Sequence, residues 1–353
     1  MANKRLTWVD VTKGFLMILV VIGHYPGELD FPLSKYIYWF HMPAFFLMSG
    51  LFFKEAKDRA EVGDSIRKRF MQLIVPYLFF LVVITGMRYG IELGSGNTDI
   101  QWYLNDLWKL VVGGRFVRGA YGVFWFITTL FAVFVIFTEI TRHFGRKAQL
   151  AIIAGFYLLA HAESLIAKYV LSGGTVEAAQ QIPLPWNLDV ALMATVYFAL
   201  GYYLKTFWMD ISRKWFTASL VTAAACFAMD AAGIFDYRLS MKFLRYDHFL
   251  LDLVIPLSCT VVVIGLFQRL TARMPLTWLQ KIETHSISVM YLHIFADIVL
   301  NDFFTYGLIG FTAIGLILPI LVSIVLQKFV PYGKLLLGGF RPKKKRKPIM
   351  AGD

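Results

Sequence analysis

Val9-Asp10-Val11-Thr12-Lys13-Gly14-Phe15-Leu16-Met17-Ile18-Leu19-Val20-Val21-Ile22-Gly23-His24 is the stretch that decides how the chain is read. Everything between Lys13 and His24 is apolar or glycine. Such a run is most stable as a helix in lipid, where the backbone must satisfy its own hydrogen bonds. On an α-helix eleven steps of about 100° come to about 1100°, within about 20° of three full turns. Lys13 and His24 therefore share one stripe, roughly 16 Å apart along the axis. Ionisable groups in a membrane segment are costly and rare, and they line a pathway or a reaction site. This pair is the sharpest functional clue in the sequence.

The same character extends through the 353 residues, 58% of them hydrophobic and 16% aromatic, with a mean hydropathy of +0.61. Ten apolar stretches stand out, over 9–27, 36–53, 73–91, 121–141, 149–170, 187–205, 214–233, 249–268, 285–304 and 308–330. The expected fold is all-α, a polytopic membrane helix bundle with about ten transmembrane helices. With the N-terminus inside, 26 of the 35 Lys and Arg residues fall on inner segments. Positive charge favours the cytoplasmic side, so both termini are predicted to be cytoplasmic. A membrane domain over 1–335 is then followed by a basic tail over 336–353. The run Arg341-Pro342-Lys343-Lys344-Lys345-Arg346-Lys347 suits contact with anionic lipid heads. A net charge of +12 without a soluble domain argues for the bilayer as partner and against nucleic acid. Cys226 and Cys259 both lie in predicted spans, which implies no disulfide framework. The first segment has no A-x-A cleavage site and reads as a retained helix rather than a signal peptide.

Polar residues inside the apolar stretches narrow the field. In Tyr36-Ile37-Tyr38-Trp39-Phe40-His41-Met42-Pro43-Ala44-Phe45-Phe46-Leu47-Met48-Ser49-Gly50, Pro43 removes a helical donor near His41. His41 is read either as part of an interfacial aromatic belt or as a site residue. Arg67, Lys68 and Arg69, just before Pro76, read either as a topogenic charge cluster or as a dock for a phosphorylated donor. Arg115 and Arg118 sit among glycines ahead of Trp125 and suit an anionic or sugar ligand. In Ser286-Ile287-Ser288-Val289-Met290-Tyr291-Leu292-His293, His293 has Asp297 four residues on, as a structural pair or a second proton-handling group. Glu163, Asp189 and Asp252 are further carboxylates in or near spans, each open to pairing with a basic residue.

These segments together resemble the integral-membrane acyltransferase family 3. Lys13 and His24 match its Arg/Lys-x10-His signature, and Phe40 to Gly50 resembles its second signature. The Phe-His-Met-Pro start looks most like the fucose 4-O-acetylase branch. Tyr121 to Leu130 and Ser286 to His293 are similar to two later family segments. Many members carry two arginines three residues apart before the proline of the third span. Here Arg69 fills the first position and Gln72 the second.

The resemblance implies transfer of an acyl group, usually acetyl from acetyl-CoA, to a hydroxyl of a cell-surface or lipid-linked saccharide, in a bacterial cytoplasmic membrane. It implies His24 as general base and Lys13 either on the donor's polar arm or holding Asp10 three residues earlier, with Arg67 and Arg69 at the donor's cytoplasmic end. His41, Ser49, Arg118, Trp125, Tyr291 and His293 would meet the acceptor or the developing oxyanion. No metal and no permanently bound cofactor is expected. A transporter or flippase of a lipid-linked saccharide is the main rival. Transporters often show related halves with broken helices, whereas the two signatures here lie in the first two stretches without a second copy. A receptor or assembly subunit is the other rival.

Overall fold

The computed structural model describes residues 6–28, 32–171, 184–246, 248–301 and 303–339; the basic run at 341–347 lies outside them. Helix α1 (Thr7–Gly23) carries the opening stretch and ends at His24 as its C-cap. Its 17 residues span roughly 25 Å, slightly less than the hydrocarbon core. The stretch expected as one helix over 36–53 is instead two, α2 (Leu33–Tyr38) and α3 (His41–Leu51), with a break at Trp39 and Phe40. Pro43 explains this correction. It has no N–H for the Trp39 carbonyl and sits in the first turn of α3, where a missing donor costs least.

Helix α4 (Arg59–Gly94) is 36 residues long, far more than the 73–91 stretch. The charged segment ahead of that stretch is helical from Arg59 onward. Asp58 caps it by accepting from the Glu61 N–H at 2.8 Å, while the Glu61 carboxylate accepts from the Lys57 N–H at 2.8 Å. Next comes α5 (Ile100–Val112), an amphipathic helix outside the ten stretches. It is followed by α6 (Trp125–His143), α7 (Arg146–Ile166), α8 (Val190–Tyr203), α9 (Lys205–Met209) and α10 (Arg213–Ala231). A hairpin of β1 (Leu239–Ser240) and β2 (Arg245–Tyr246) pairs Leu239 with Tyr246 and Ser240 with Arg245. The chain continues through α11 (Leu251–Thr271), α12 (Thr277–Thr284), α13 (Ser286–Leu300), α14 (Leu308–Phe329) and α15 (Gly333–Leu336).

All ten stretches are mainly helical. Among the described residues five helical segments are long and apolar enough to cross a membrane, those over Arg59–Gly94, Gly119–His143, Arg146–Leu171, Leu251–Thr271 and Leu308–Phe329. The remainder are shorter or less apolar.

Small residues let helices touch backbone to backbone, as membrane interfaces favour. A Cβ on Gly50 of α3 would lie 1.8 Å from the Phe198 carbonyl oxygen, and one on Gly201 of α8 would lie 1.9 Å from that of Leu47. Gly14 of α1 meets Leu279 of α12 in the same way, at 2.1 Å. Two apolar clusters result. One gathers α3, α6, α8, α10, α11 and the hairpin around Trp39, Tyr197 and Phe198. The other gathers α4, α13 and the far face of α1 around Phe80, Phe124 and Tyr291. The seam between these clusters holds the candidate site.

Candidate active site

A cavity of about 390 Å³ opens at the seam, lined on α1 by Met17, Val20 and His24. These positions continue the stripe that starts at Lys13, so the helical spacing directs the imidazole into the cavity. Tyr38 and His41 face it from the α2–α3 break, Arg118 and Trp125 from the approach to α6, and Ser240, Lys242 and Phe243 from the hairpin.

The imidazoles share one arrangement. In a helix each Cα–Cβ bond tilts towards the N-terminus, so a side chain leans onto the preceding turn. His24 Nδ1 lies 2.7 Å from the Val20 carbonyl oxygen. His41 Nδ1 lies 2.8 Å from that of Ile37, and His293 Nδ1 2.8 Å from that of Val289. A carbonyl only accepts, so Nδ1 carries the proton and Nε2 keeps its lone pair. His24 therefore presents a base with its ring already oriented. Its ring centroid lies 5.1 Å from that of His293 and 6.2 Å from that of Tyr38. Tyr38 lies 5.2 Å from His41 and donates to the Gly23 carbonyl at 2.7 Å. His24, Tyr38 and His41 line the cavity in an arc, and His293 stands next to His24 outside that lining.

His293 is fully buried, and its Nε2 has no hydrogen-bond partner among the described residues. The expected His293–Asp297 pair does not form. The ring leans back to Val289, while Asp297 accepts from the Tyr306 hydroxyl at 3.0 Å. Tyr291 also stands apart. Its ring stacks on Phe80 at 4.8 Å and meets Phe124 at 4.6 Å, behind the cavity wall. Ser49 is turned inward on its own helix, donating to the Phe45 carbonyl at 2.8 Å; Phe45, not Ser49, lines the cavity.

Lys13 sits at the opposite end of α1, with its Nζ 5.9 Å from the Phe52 ring centroid. Arg69 lies over Phe134 at 5.1 Å and donates to Gln72 at 3.4 Å, the residue that replaces the second arginine of the family pattern. Arg67 is exposed on the first turns of α4. Trp125 is buried and lines the cavity rather than a membrane interface.

Lys242 is the residue that sequence reasoning missed. It lies between α10 and α11, outside every apolar stretch, and donates from Nζ to the Val117 carbonyl at 2.9 Å and the Gly122 carbonyl at 3.0 Å. Burial, with Arg118 and Arg115 nearby, pushes its ammonium down to about 7. Beneath it Arg115 is fully buried and paired with Asp189. The Arg115 N–H also donates to Asn187 at 2.7 Å, and Asn187 Nδ2 donates to the Lys242 carbonyl at 3.1 Å. This network fixes the hairpin over the cavity. Asp252 similarly pairs with His161, at 3.1 Å.

The cavity thus offers an oriented base, one further imidazole and two cations, with no carboxylate among its lining residues. That is a set for drawing a proton from a hydroxyl and stabilising negative charge on oxygen. Nodulation protein NolL of Mesorhizobium japonicum is 33% identical over 149 residues, covering 39% of this chain and 37% of that protein. NolL of Sinorhizobium fredii is 32% identical over 142 residues, covering 38% of each. The aligned part is thus well under half the length of these curated relatives. No solved structure matches. The acyltransferase domain family matches residues 6–328, which include every element of the cavity. The chain belongs to that acyltransferase family.

Proposed function

We propose that this protein is an integral-membrane O-acyltransferase that moves acetyl from acetyl-CoA to a hydroxyl of a cell-surface or lipid-linked saccharide. The observation that carries this reading is the His24 Nε2 lone pair, held ready by the Val20 carbonyl at 2.7 Å and set in a cavity with His41, Arg118 and Lys242. In the reaction, Nε2 takes the hydroxyl proton as the oxygen attacks the thioester carbonyl. The Lys242 ammonium stabilises the oxyanion of the tetrahedral intermediate, while the His41 Nε2 lone pair accepts from a neighbouring sugar hydroxyl and Arg118 holds the acceptor. The C–S bond then breaks, and His24 returns the proton to the departing thiolate, giving the ester and free CoA. No acyl-enzyme is needed.

The accompanying topology is ten crossings with both termini cytoplasmic and a membrane domain over 1–335. Lys13, Arg67 and Arg69 then face the cytoplasm and receive the nucleotide end of the donor, while His24 meets an acceptor from the outer side. The charge distribution and the Lys13–His24 stripe support this orientation. The basic tail over 336–353 meets the inner leaflet. The test is incubation of purified protein with radiolabelled acetyl-CoA and an acceptor glycan. Label in the glycan with stoichiometric thiol release supports the proposal. Movement of a lipid-linked saccharide across a vesicle membrane without thiol release would support a flippase instead.

A further inference from the structure

The cavity that holds His24 has a larger neighbour. It encloses about 930 Å³ between the C-terminal part of α4, helix α5, the segment 116–121 and the C-terminal part of α13. Arg118 and Gly119 line both cavities, so a molecule filling the larger one abuts the wall of the reaction chamber. Its volume lies near the top of the range for small-molecule sites.

Five charged residues line it: Arg88, Glu92, Asp106, Lys109 and Arg118. Both carboxylates are already engaged. Asp106 accepts two bonds from Arg88 at 3.2 Å each and one from the Tyr89 hydroxyl at 3.0 Å. Glu92 accepts from Asn97 Nδ2 at 3.1 Å. Lys109 and Arg118 have no ion-pair partner among the described residues; Arg118 rests over the Phe243 ring at 5.6 Å. Three cations face two carboxylates in this cavity, leaving an excess of one positive charge, and the two cations outside ion pairs form a seat for an anion with more than one charged oxygen.

The surroundings say what the anion is attached to. Ile91, Ile298 and Phe303 line this cavity yet are 59%, 45% and 74% exposed. Alongside them α5 turns Ile100, Leu104, Leu107, Trp108 and Val111 outward as one exposed stripe. In a membrane such surfaces face acyl chains, and an amphipathic helix of this kind lies along the interface. The cavity therefore opens sideways at headgroup depth, with apolar walls on the lipid side and the exposed cations Lys109 and Arg118 along its lining.

We infer that this second cavity binds the phosphate or diphosphate of a lipid-linked saccharide. Lys109 and Arg118 hold the anion, the lipid chain runs over Ile91, Ile298 and Phe303, and the sugar passes Arg118 to reach His24. The inference rests on the acyltransferase reading and narrows its acceptor to a lipid-anchored, phosphate-bearing saccharide.

The test uses the full chain purified in neutral detergent, with farnesyl diphosphate as probe and the thermal unfolding midpoint as readout. Farnesyl diphosphate is expected to raise the midpoint of the wild type and of His24→Ala alike, and farnesol and inorganic pyrophosphate to do so only weakly. Lys109→Gln should weaken binding by about tenfold, the scale of one lost charge-assisted contact, and Lys109→Arg should restore it. Equal binding by Lys109→Gln and Arg118→Gln would overturn the assignment. An equal shift from phosphatidylglycerol would also overturn it, since the cavity would then be a general headgroup site. In the transfer assay, Lys109→Gln should raise KM about tenfold for a diphosphate-linked acceptor and far less for the same saccharide freed of its lipid diphosphate. Transfer without any farnesyl diphosphate binding would remove this inference alone. Binding without transfer to any acceptor would support the lipid-phosphate site while removing the reaction.

Discussion

Replacing Gly50 by alanine tests whether the packing of α3 on α8 sets the reaction chamber. The added Cβ would sit 1.8 Å from the Phe198 carbonyl oxygen, whereas real Cβ atoms essentially never come within 3.0 Å. The helices must therefore part by at least about 1.2 Å (3.0 less 1.8). Backbone lies on the far side of the contact, so no side chain can swing aside. Overpacking of this kind costs about 1–3 kcal/mol. His41, nine residues earlier on the same helix, lies on the cavity wall, and α3 moves as a unit. A displacement near 1 Å in a reacting constellation can cost about 10²-fold in rate. The expected result for Gly50→Ala is a lower unfolding midpoint in detergent together with a fall in kcat/KM of up to about 10²-fold. Gly201→Ala should behave alike, because its Cβ meets the Leu47 carbonyl at 1.9 Å. Wild-type stability and turnover in both variants would refute the close helix contact and its link to the chamber.

Three further outcomes are expected. Asp189→Asn removes a carboxylate paired with the buried Arg115 guanidinium, so stability should drop, by less than the about 3–5 kcal/mol of a wholly broken buried pair because Glu163 also faces Arg115, as denaturant titration will report. Lys242 protonates at about 7 when folded against 10.5 ordinarily, so between these values the unfolded chain binds more protons and the fold gains stability as pH rises; Lys242→Met should flatten that slope in unfolding midpoints taken across the range. Lys13→Ala should chiefly raise the acyl-CoA concentration needed for half-maximal transfer, and a change confined to the acceptor would contradict its donor-side role.

Much of this organisation was legible from residue spacing. Period and apolarity located the helices of all ten apolar stretches, because a membrane helix satisfies its backbone locally, but not the amphipathic α5. The eleven-residue step put Lys13 and His24 on one stripe, since helical geometry needs no partner to be read, and Met17 and Val20, between them on that stripe, line the cavity with His24. Other signals were present but under-read. Pro43 marks the break before α3, and Asp58 with Glu61 marks the early start of α4. What spacing could not supply was the set of neighbours. His293 and Asp297 have the right separation, yet the backward lean of the ring commits it to Val289. Tyr291 and Ser49 lie on candidate segments but turn to other partners. Lys242 reaches the cavity only because Arg115, Asp189 and Asn187, distant in sequence, pin its hairpin.

The central claim is that His24 acts as the base, and turnover of purified His24→Ala against wild type tests it most directly, with acetyl-CoA and a lipid-linked acceptor both saturating. The account predicts a fall in kcat of about 10²–10⁴-fold with the unfolding midpoint and expression preserved. Turnover within about tenfold of wild type, less than a general base contributes, would contradict it.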